Sequence, residues 1–330
     1  MQHLPLGRFG PQVSRIGLGC MGMSDFYGPA DPAESIATLH AALDAGVTLI
    51  DTGDFYGMGH NELLIGRALA GETRRRALIS VKFGALRTPG GAFAGIDARP
   101  QAVKNFAAYS LKRLGTDYID IYRPARLDPT VPIEETVGAI ADLIRSGHVR
   151  FVGLSEVGAA TIRRAHSVHP IADLQIEYSL ASRGIEARIL PTVRELGIAI
   201  TAYGVLSRGL LTATLPQSVP GLRAHMPRFQ GENYRRNVVL AQALAALARE
   251  RGVTSAQLAI AWVLARGADI VPLIGTTRRA GLAQAIEALA MQLSPEEMDR
   301  IEAAVPAGAI AGSRYAPEHM MQLDSEREGG

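Results

Sequence analysis

The sequence predicts an α/β protein, a (β/α)₈ TIM barrel with extra helices near the C-terminus, and three observations carry that prediction. A short apolar strand, a polar turn and an amphipathic helix recur along the chain to its end. Strands such as Thr48-Leu49-Ile50 and Phe151-Val152-Gly153-Leu154 are apolar at successive positions, as parallel strands covered by helices are. About eight such units fit into 330 residues, a length that suits one closed barrel.

Taken in order, the strands are predicted at Arg15–Gly19, Thr48–Thr52, Leu78–Lys82, Tyr118–Tyr122, Val149–Ser155, Asp173–Tyr178, Ala199–Tyr203 and Ile270–Gly275. Helical periodicity marks Ala33–Ala45, Asn61–Ala70, Pro100–Leu114, Ile133–Ser146, Ala159–Val168, Glu186–Leu196, Asn233–Arg251 and Arg279–Leu289. Pro32 and Pro100 stand near helix starts, and Gly46, Gly147, Gly197 and Gly252 follow last turns. Additional helices are predicted at Ser255–Arg266 and Pro295–Ala304. No linker divides the chain, so residues 1–330 are expected to form one domain, with residues 1–14 as an N-terminal cap and 307–330 as a loosely ordered tail. The stretch Val205–Gly231 is the longest irregular piece, and irregular segments of that length tend to be functional.

Composition narrows the function classes. With 47% hydrophobic and 20% charged residues, the chain reads as an ordinary globular protein. Its formal net charge of +2 comes from scattered Arg and Lys, which disfavours nucleic-acid or membrane-surface binding. Cys20 is the single cysteine, so no internal disulfide forms. No signal peptide is visible, and no apolar run reaches the ~18 residues that would span a bilayer. The expectation is a cytoplasmic protein, a monomer or small homo-oligomer, acting on a small molecule. His166 and His169 share a helix at i,i+3, but no third metal ligand accompanies them.

Gly17-Leu-Gly19-Cys-Met-Gly22 spells GxGxxG after a predicted strand. A dinucleotide-binding loop of that spelling must open a helix whose N-terminus holds the pyrophosphate. Residues Met23 to Pro32 carry Gly and Pro instead of a helical period, so the glycines read better as a tight strand exit.

In a barrel the active site lies at the C-terminal ends of the strands. Strand two ends in Asp51-Thr52, followed by Gly53-Asp54-Phe55-Tyr56-Gly57. Strand three ends in Lys82 and strand five in Ser155-Glu156; strand six carries Gln175, and strand seven ends in Tyr203. Gathered at one face, these residues put a phenol beside an ammonium and a carboxylate. A free phenol, with a pKa of about 10, is a weak acid at neutral pH. A neighbouring Lys⁺ favours phenolate and lowers that pKa, and an Asp fixes the Lys. Such a tyrosine protonates a carbonyl oxygen while a nicotinamide delivers hydride to the carbon.

Leu18-Gly-Cys-Met-Gly-Met, Asp51-Thr-Gly-Asp-Phe-Tyr56-Gly, Lys82, Gly153-Leu-Ser-Glu, Gln175-Ile-Glu-Tyr-Ser and Tyr203-Gly-Val-Leu-Ser-Arg-Gly together resemble the aldo-keto reductase superfamily. Among its members, the bacterial and plant reductases grouped with auxin-induced proteins look most similar, and the resemblance covers nearly the whole chain in order. It implies Tyr56 as general acid tuned by Lys82 and Asp51, with Ser155 and Gln175 on the nicotinamide carboxamide and Tyr203 stacked on its ring. It also implies that Gly19, Cys20, Met21 and Asp51 border the cofactor. Gly204 and Leu206–Leu211 would run along the pyrophosphate, with Ser207, Arg208 and Gly209 as donors. Ile274-Gly275-Thr276-Thr277-Arg278-Arg279 looks like the family's segment for the adenosine phosphate, which favours NADP(H) over NAD(H). The family often has an adenine-contacting Asn where Ala285 stands, so Gln284 is the expected substitute.

One departure concerns the fourth catalytic residue, a His after strand four in the family, where this chain has Ala125 within Pro124-Ala125-Arg126. One preorganised donor to a developing oxyanion is worth about 3 kcal/mol. A widened pocket bordered by Phe26, Tyr56, Ala125 and Arg126 is expected, suited to a bulky ketone or an aldehyde, with Arg123 or Arg126 as partial substitutes for the imidazole. Two further readings stay open: an NADPH-binding sensor or interaction subunit with little turnover, and reduction of a C=C bond conjugated to a carbonyl.

Overall fold

The computed structural model describes residues 1–24, 26–212 and 221–327. Eight parallel strands close into a barrel: β1 (Gly17–Gly19), β2 (Leu49–Gly53), β3 (Leu78–Phe83), β4 (Ile119–Pro124), β5 (Val149–Ser155), β6 (Ile171–Glu177), β7 (Ala199–Tyr203) and β8 (Ile270–Gly275). Closure is made where Leu273, Ile274 and Gly275 of β8 pair with Gly17, Leu18 and Gly19 of β1. Helices α1 (Pro32–Asp44), α2 (His60–Ala68), α3 (Pro100–Leu114), α4 (Ile133–Arg145), α5 (Ala159–Val168), α6 (Ile189–Leu196) and α7 (Gly231–Glu250) follow the first seven strands. The extra helix α8 (Ser255–Ala265) precedes β8, and α9 (Arg279–Glu287) and α10 (Pro295–Ala304) complete the ring. Among the described residues, no helix is long and apolar enough to cross a membrane.

Sequence chemistry accounts for the elements. Asp31 caps α1 by accepting from the Ala33 amide, with Pro32 at the first helical position. Thr254 and Ser294 start α8 and α10 with capping boxes closed by Gln257 and Glu297. Gly46, Gly147, Gly197 and Gly252 all have positive φ, the backbone that ends a helix.

The barrel interior is layered. At its base Leu49, Ile121, Ala199, Val271 and Leu273 pack against Leu4, Leu6 and Val13 of an N-terminal hairpin, His3–Pro5 with Gln12–Ser14. Above them lies an ionic layer in which Arg123 of β4 meets Asp173 of β6 at 2.8 Å and donates to Ser80 Oγ at 2.9 Å. A Cβ at Gly153 would stand 3.0 Å from the Arg123 guanidinium carbon and 2.8 Å from Asp173, so glycine there leaves the pair its room. Ser80 Oγ links this layer to Asp51 of β2, to which it donates at 2.9 Å.

Three expectations are corrected. Strand four runs to Pro124 rather than stopping at Tyr122, which places Ala125 directly after it. A second hairpin, Ala85–Arg87 with Phe93–Ile96, stands over the C-terminal end of the barrel where only a loop was expected. The segment after Pro306 is not loose: Arg314, Tyr315, Asp324 and Ser325 are tied to the barrel mouth.

Candidate active site

Strand pairing sets Asp51 beside Ser80 and Gly53 beside Lys82, and it brings Gln175 level with Ser155. Lys82 Nζ donates to Asp51 Oδ1 at 2.5 Å and to Gln175 Oε1 at 2.8 Å. Gln175 Nε2 and Ser80 Oγ donate to Asp51 Oδ2 at 2.7 and 2.9 Å. All three charged or amide groups are buried. Burial lowers the Lys82 pKa, and Asp51 works against that fall. Both ends of the Gln175 amide thereby help hold the pair together.

Tyr56 begins a tight turn after β2, in which Gly57, Met58 and Gly59 have φ of 55°, 52° and 95°. Three successive left-handed residues are held by contacts around them, and a Cβ on Gly57 would meet Ser24 at 3.1 Å. The Tyr56 ring is edge-on to Phe55 at 4.8 Å and to Phe26 at 6.0 Å, and Lys82 Nζ lies 5.2 Å from its centroid. Burial pushes the Tyr56 phenol well above its ordinary pKa, the Asp51 charge adds to this, and Arg126 pulls the other way. The charge of Lys82 is matched by Asp51 at 2.5 Å. The phenol is therefore held protonated, the form a proton donor requires.

Past Phe26 and Phe55, which pack on Tyr56, opens a cavity of about 330 Å³ lined by these two and by Arg87, Ala125, Arg126 and Tyr315 among others; Tyr56, expected to border the pocket, is not among its lining residues. Ala125 is 2% exposed and its amide donates to Phe83 O at 2.8 Å. Arg123, a proposed stand-in for the imidazole, is fully buried inside the barrel with Asp173 and does not reach this cavity. Arg126 does line it.

Several residues suit a nicotinamide dinucleotide. Ser155 Oγ and Ser207 Oγ are buried with no hydrogen-bond partner among the described residues, a costly state that a bound amide or phosphate would relieve. Ser207 and Arg208 have positive φ, and their backbone turns the chain past Gly209. The Arg208 guanidinium pairs with Glu177 at 3.0 Å. Thr276 Oγ1 accepts from the Arg278 amide at 3.2 Å, shaping the start of α9. Arg279 is held by Glu34 at 2.9 Å, whereas Arg278 is exposed with no ion pair among the described residues. Ala285 is packed into the core and Gln284 is exposed, so of the two only Gln284 can meet an adenine. Gly19, Cys20, Met21, Gly204, Leu206, Ile274, Gly275 and Thr277 lie on the β1, β7 and β8 exits, on one side of the mouth. Cys20 is tied in through its amide to Asp51 O and through its carbonyl to Asn61.

The sequence reading missed an ionic cluster at the mouth. Glu156 accepts from Tyr203 Oη at 2.6 Å, from Arg314 at 2.5 and 2.9 Å, and from Ser325 Oγ at 2.7 Å. Glu177 meets Arg208, Arg228 and Arg314 at 3.0, 3.3 and 3.4 Å. Burial raises the Glu177 pKa, but the three arginines outweigh it and hold the carboxyl at about 2. Glu156 is likewise held well below the usual range, with Arg314 overcoming burial. Tyr203 Oη also contacts Tyr315 Oη at 3.0 Å. The sequence singled out Tyr203, Arg208 and Glu156 one by one, but not their pairing with Glu177, Arg228 and Arg314.

Comparison with known proteins agrees with this arrangement. Residues 15–306 match the model of the aldo/keto reductase family. A probable aldo-keto reductase from Glycine max is 43% identical over 320 residues, covering 96% of this chain and 92% of its own. The glycerol dehydrogenase of Gluconobacter oxydans superposes with a TM-score of 0.83 at 28% identity, over 93% of this chain and 95% of that one. The holo form of an aldo-keto reductase from Bacillus halodurans gives 0.79 at 25% identity, over 97% and 99%. The chain belongs to the aldo/keto reductase family, a family of oxidoreductases that act on small carbonyl compounds with a nicotinamide cofactor.

Proposed function

We propose that the protein is an NADPH-dependent reductase that converts a carbonyl, a bulky ketone or an aldehyde, to an alcohol with Tyr56 as general acid. The observation that carries this reading is the buried Lys82–Asp51–Gln175 arrangement, closed at 2.5–2.8 Å beside a protonated phenol. When bound, the nicotinamide supplies the hydride. Ser155 and Ser207 would hold its carboxamide and the pyrophosphate, and Arg278 the 2′-phosphate. Tyr56 Oη gives its proton to the carbonyl oxygen. Arg126 and Lys82 then face the phenolate left behind, in a site whose burial makes their charges count for more than in water. Ala125 leaves open the volume an imidazole would fill, which supports a large substrate oriented by its remote parts. The single, buried Cys20 suits a reducing compartment, and the reading places the enzyme in the cytoplasm.

The test is Tyr56→Phe. A general acid contributes about 10²–10⁴-fold, so carbonyl reduction should fall by at least about 10²-fold while NADPH affinity stays nearly constant. Retention of most of kcat on the best ketone would remove Tyr56 as the acid.

A further inference from the structure

Most guanidinium groups near the mouth have a carboxylate. Arg208, Arg228 and Arg314 share Glu156 and Glu177, and Arg314 also pairs with Glu326 at 2.7 Å, so these charges form one cluster. Two others do not belong to it. Arg126 makes one hydrogen bond, to the carbonyl of Ala125 at 2.7 Å, and lies 6.0 Å from the Tyr315 ring centroid. Arg87 donates to Gly91 O at 2.9 Å and stacks on Phe26 and Phe55, 5.0 and 5.8 Å from their centroids. Its Nε is buried with no hydrogen-bond partner. Neither arginine has an ion pair among the described residues, and both line the same cavity. Each guanidinium has five donors, so most of this capacity is unused.

The rest of the cavity makes those two charges conspicuous. Phe26, Phe55, Phe93, Ile96 and Met226 give it apolar walls. Its one acidic lining residue, Glu318, is exposed and pairs with neither arginine. A partly buried cation without a counter-ion is costly, and apolar walls increase its attraction for an anion that enters. Arg87 also stands one aromatic layer from the acid: Phe26 and Phe55 carry it and pack edge-on against Tyr56.

We propose that the substrate is an anionic carbonyl compound, an aromatic or otherwise bulky ketone or aldehyde bearing a carboxylate, whose carboxylate is taken by Arg126 and Arg87 while its carbonyl faces Tyr56. This rests on the carbonyl-reductase reading above and names the substrate class of that site. Planar, bidentate pairing with a carboxylate is what a guanidinium does best, and an apolar body between two aromatic walls fits the lining.

The test compares para-benzoylbenzoate with its methyl ester, which share a bulky ketone and differ in charge. Calorimetric titration of the enzyme saturated with NADP⁺ measures both affinities with the cofactor's phosphates already in place. NADPH oxidation is followed on the same pair. The carboxylate should bind at least ~10-fold more tightly than the ester. That ratio should collapse toward unity in Arg126→Met and shrink in Arg87→Met, with Arg87→Lys restoring part of it. A packing role for either arginine would weaken both ligands alike and leave the ratio unmoved. Equal wild-type affinities, no measurable binding of either ligand, or a ratio untouched by both Met variants would overturn the inference. If Arg126→Met fails to fold, Arg87→Met and its Lys rescue decide alone. A carboxylate preference in binding without NADPH oxidation would leave this inference standing and sink the reductase reading. Equal turnover of acid and ester with no binding preference would do the reverse.

Discussion

Ala125 occupies a place where one side chain decides which carbonyls are held. It follows β4 directly, is 2% exposed, and lines the cavity through its methyl group. A short aldehyde has little besides its oxygen to orient it, whereas a bulky ketone is positioned by its remote parts. The wild type is therefore expected to favour large ketones. Ala125→His should raise kcat/KM for a short aldehyde by about 10-fold or more, the order of one oxyanion donor, and lower it for a bulky ketone by overpacking. Measuring both ratios checks this, and two unchanged ratios would show that Ala125 does not border the substrate. The identities of Asp51, Tyr56 and Lys82 were legible in the sequence because each stands at or just past a strand end with an unmistakable functional group. Their coupling was not. The direction of the Tyr56 shift depends on burial and on the distance to Arg126, and neither distance nor burial is written in residue order.

Strands and helices were legible because period and punctuation agreed, from the apolar Leu49-Ile50 of β2 to the proline at the start of α3. The hairpin over the cavity was not. Its strands, Ala85–Arg87 and Phe93–Ile96, are short, and the Gly- and Pro-rich tip between them reads as any loop would. Residues 213–220 of the irregular stretch Val205–Gly231 lie outside the described residues, as does Asp25. At the opposite side of the mouth, the start of α9 distinguishes two adjacent arginines that the sequence treats alike. Arg279 is engaged by Glu34, while Arg278 stands exposed at the N-terminal turn. Arg278→Ala should weaken NADPH binding by about 10-fold, near 1.4 kcal/mol, and leave NADH binding little changed. Arg279→Ala should cost less. Fluorescence titration with both nucleotides measures this, and equal wild-type affinities would remove the basis for NADP(H).

At the scale of the molecule, the segment after α10 is bound to the barrel through charge. Arg314 is 5% exposed and bridges Glu156 and Glu177, each fully ionised by its arginines. Removing one partner of a buried pair leaves the other uncompensated, so Arg314→Met should lower the unfolding free energy by about 3–5 kcal/mol at pH 7. The pH dependence has a definite sign. Both glutamates have depressed folded-state pKa values, so their contribution is present above the unfolded value of 4.5 and is lost as pH falls toward about 2. The wild-type advantage over Arg314→Met should therefore shrink across that window, and urea unfolding at pH 7 and pH 3 measures it. An equal advantage at both would mean that Arg314 acts by packing alone. No sequence pattern announced this attachment, since its partners lie 158 residues apart and match only in charge. That separation also sets an order of events during synthesis. Joining β8 to β1 and Arg314 to Glu156 closes long loops, and long loops close late. While the ribosome still holds residues 314–325, Glu156 is a buried carboxylate without its cations, and the nascent barrel has an unfinished rim. Translation must run past Arg314 before the chain can present a completed mouth, so ribosome-bound chains and fragments ending before Arg314 should be poor at binding nucleotide however well their strands have paired.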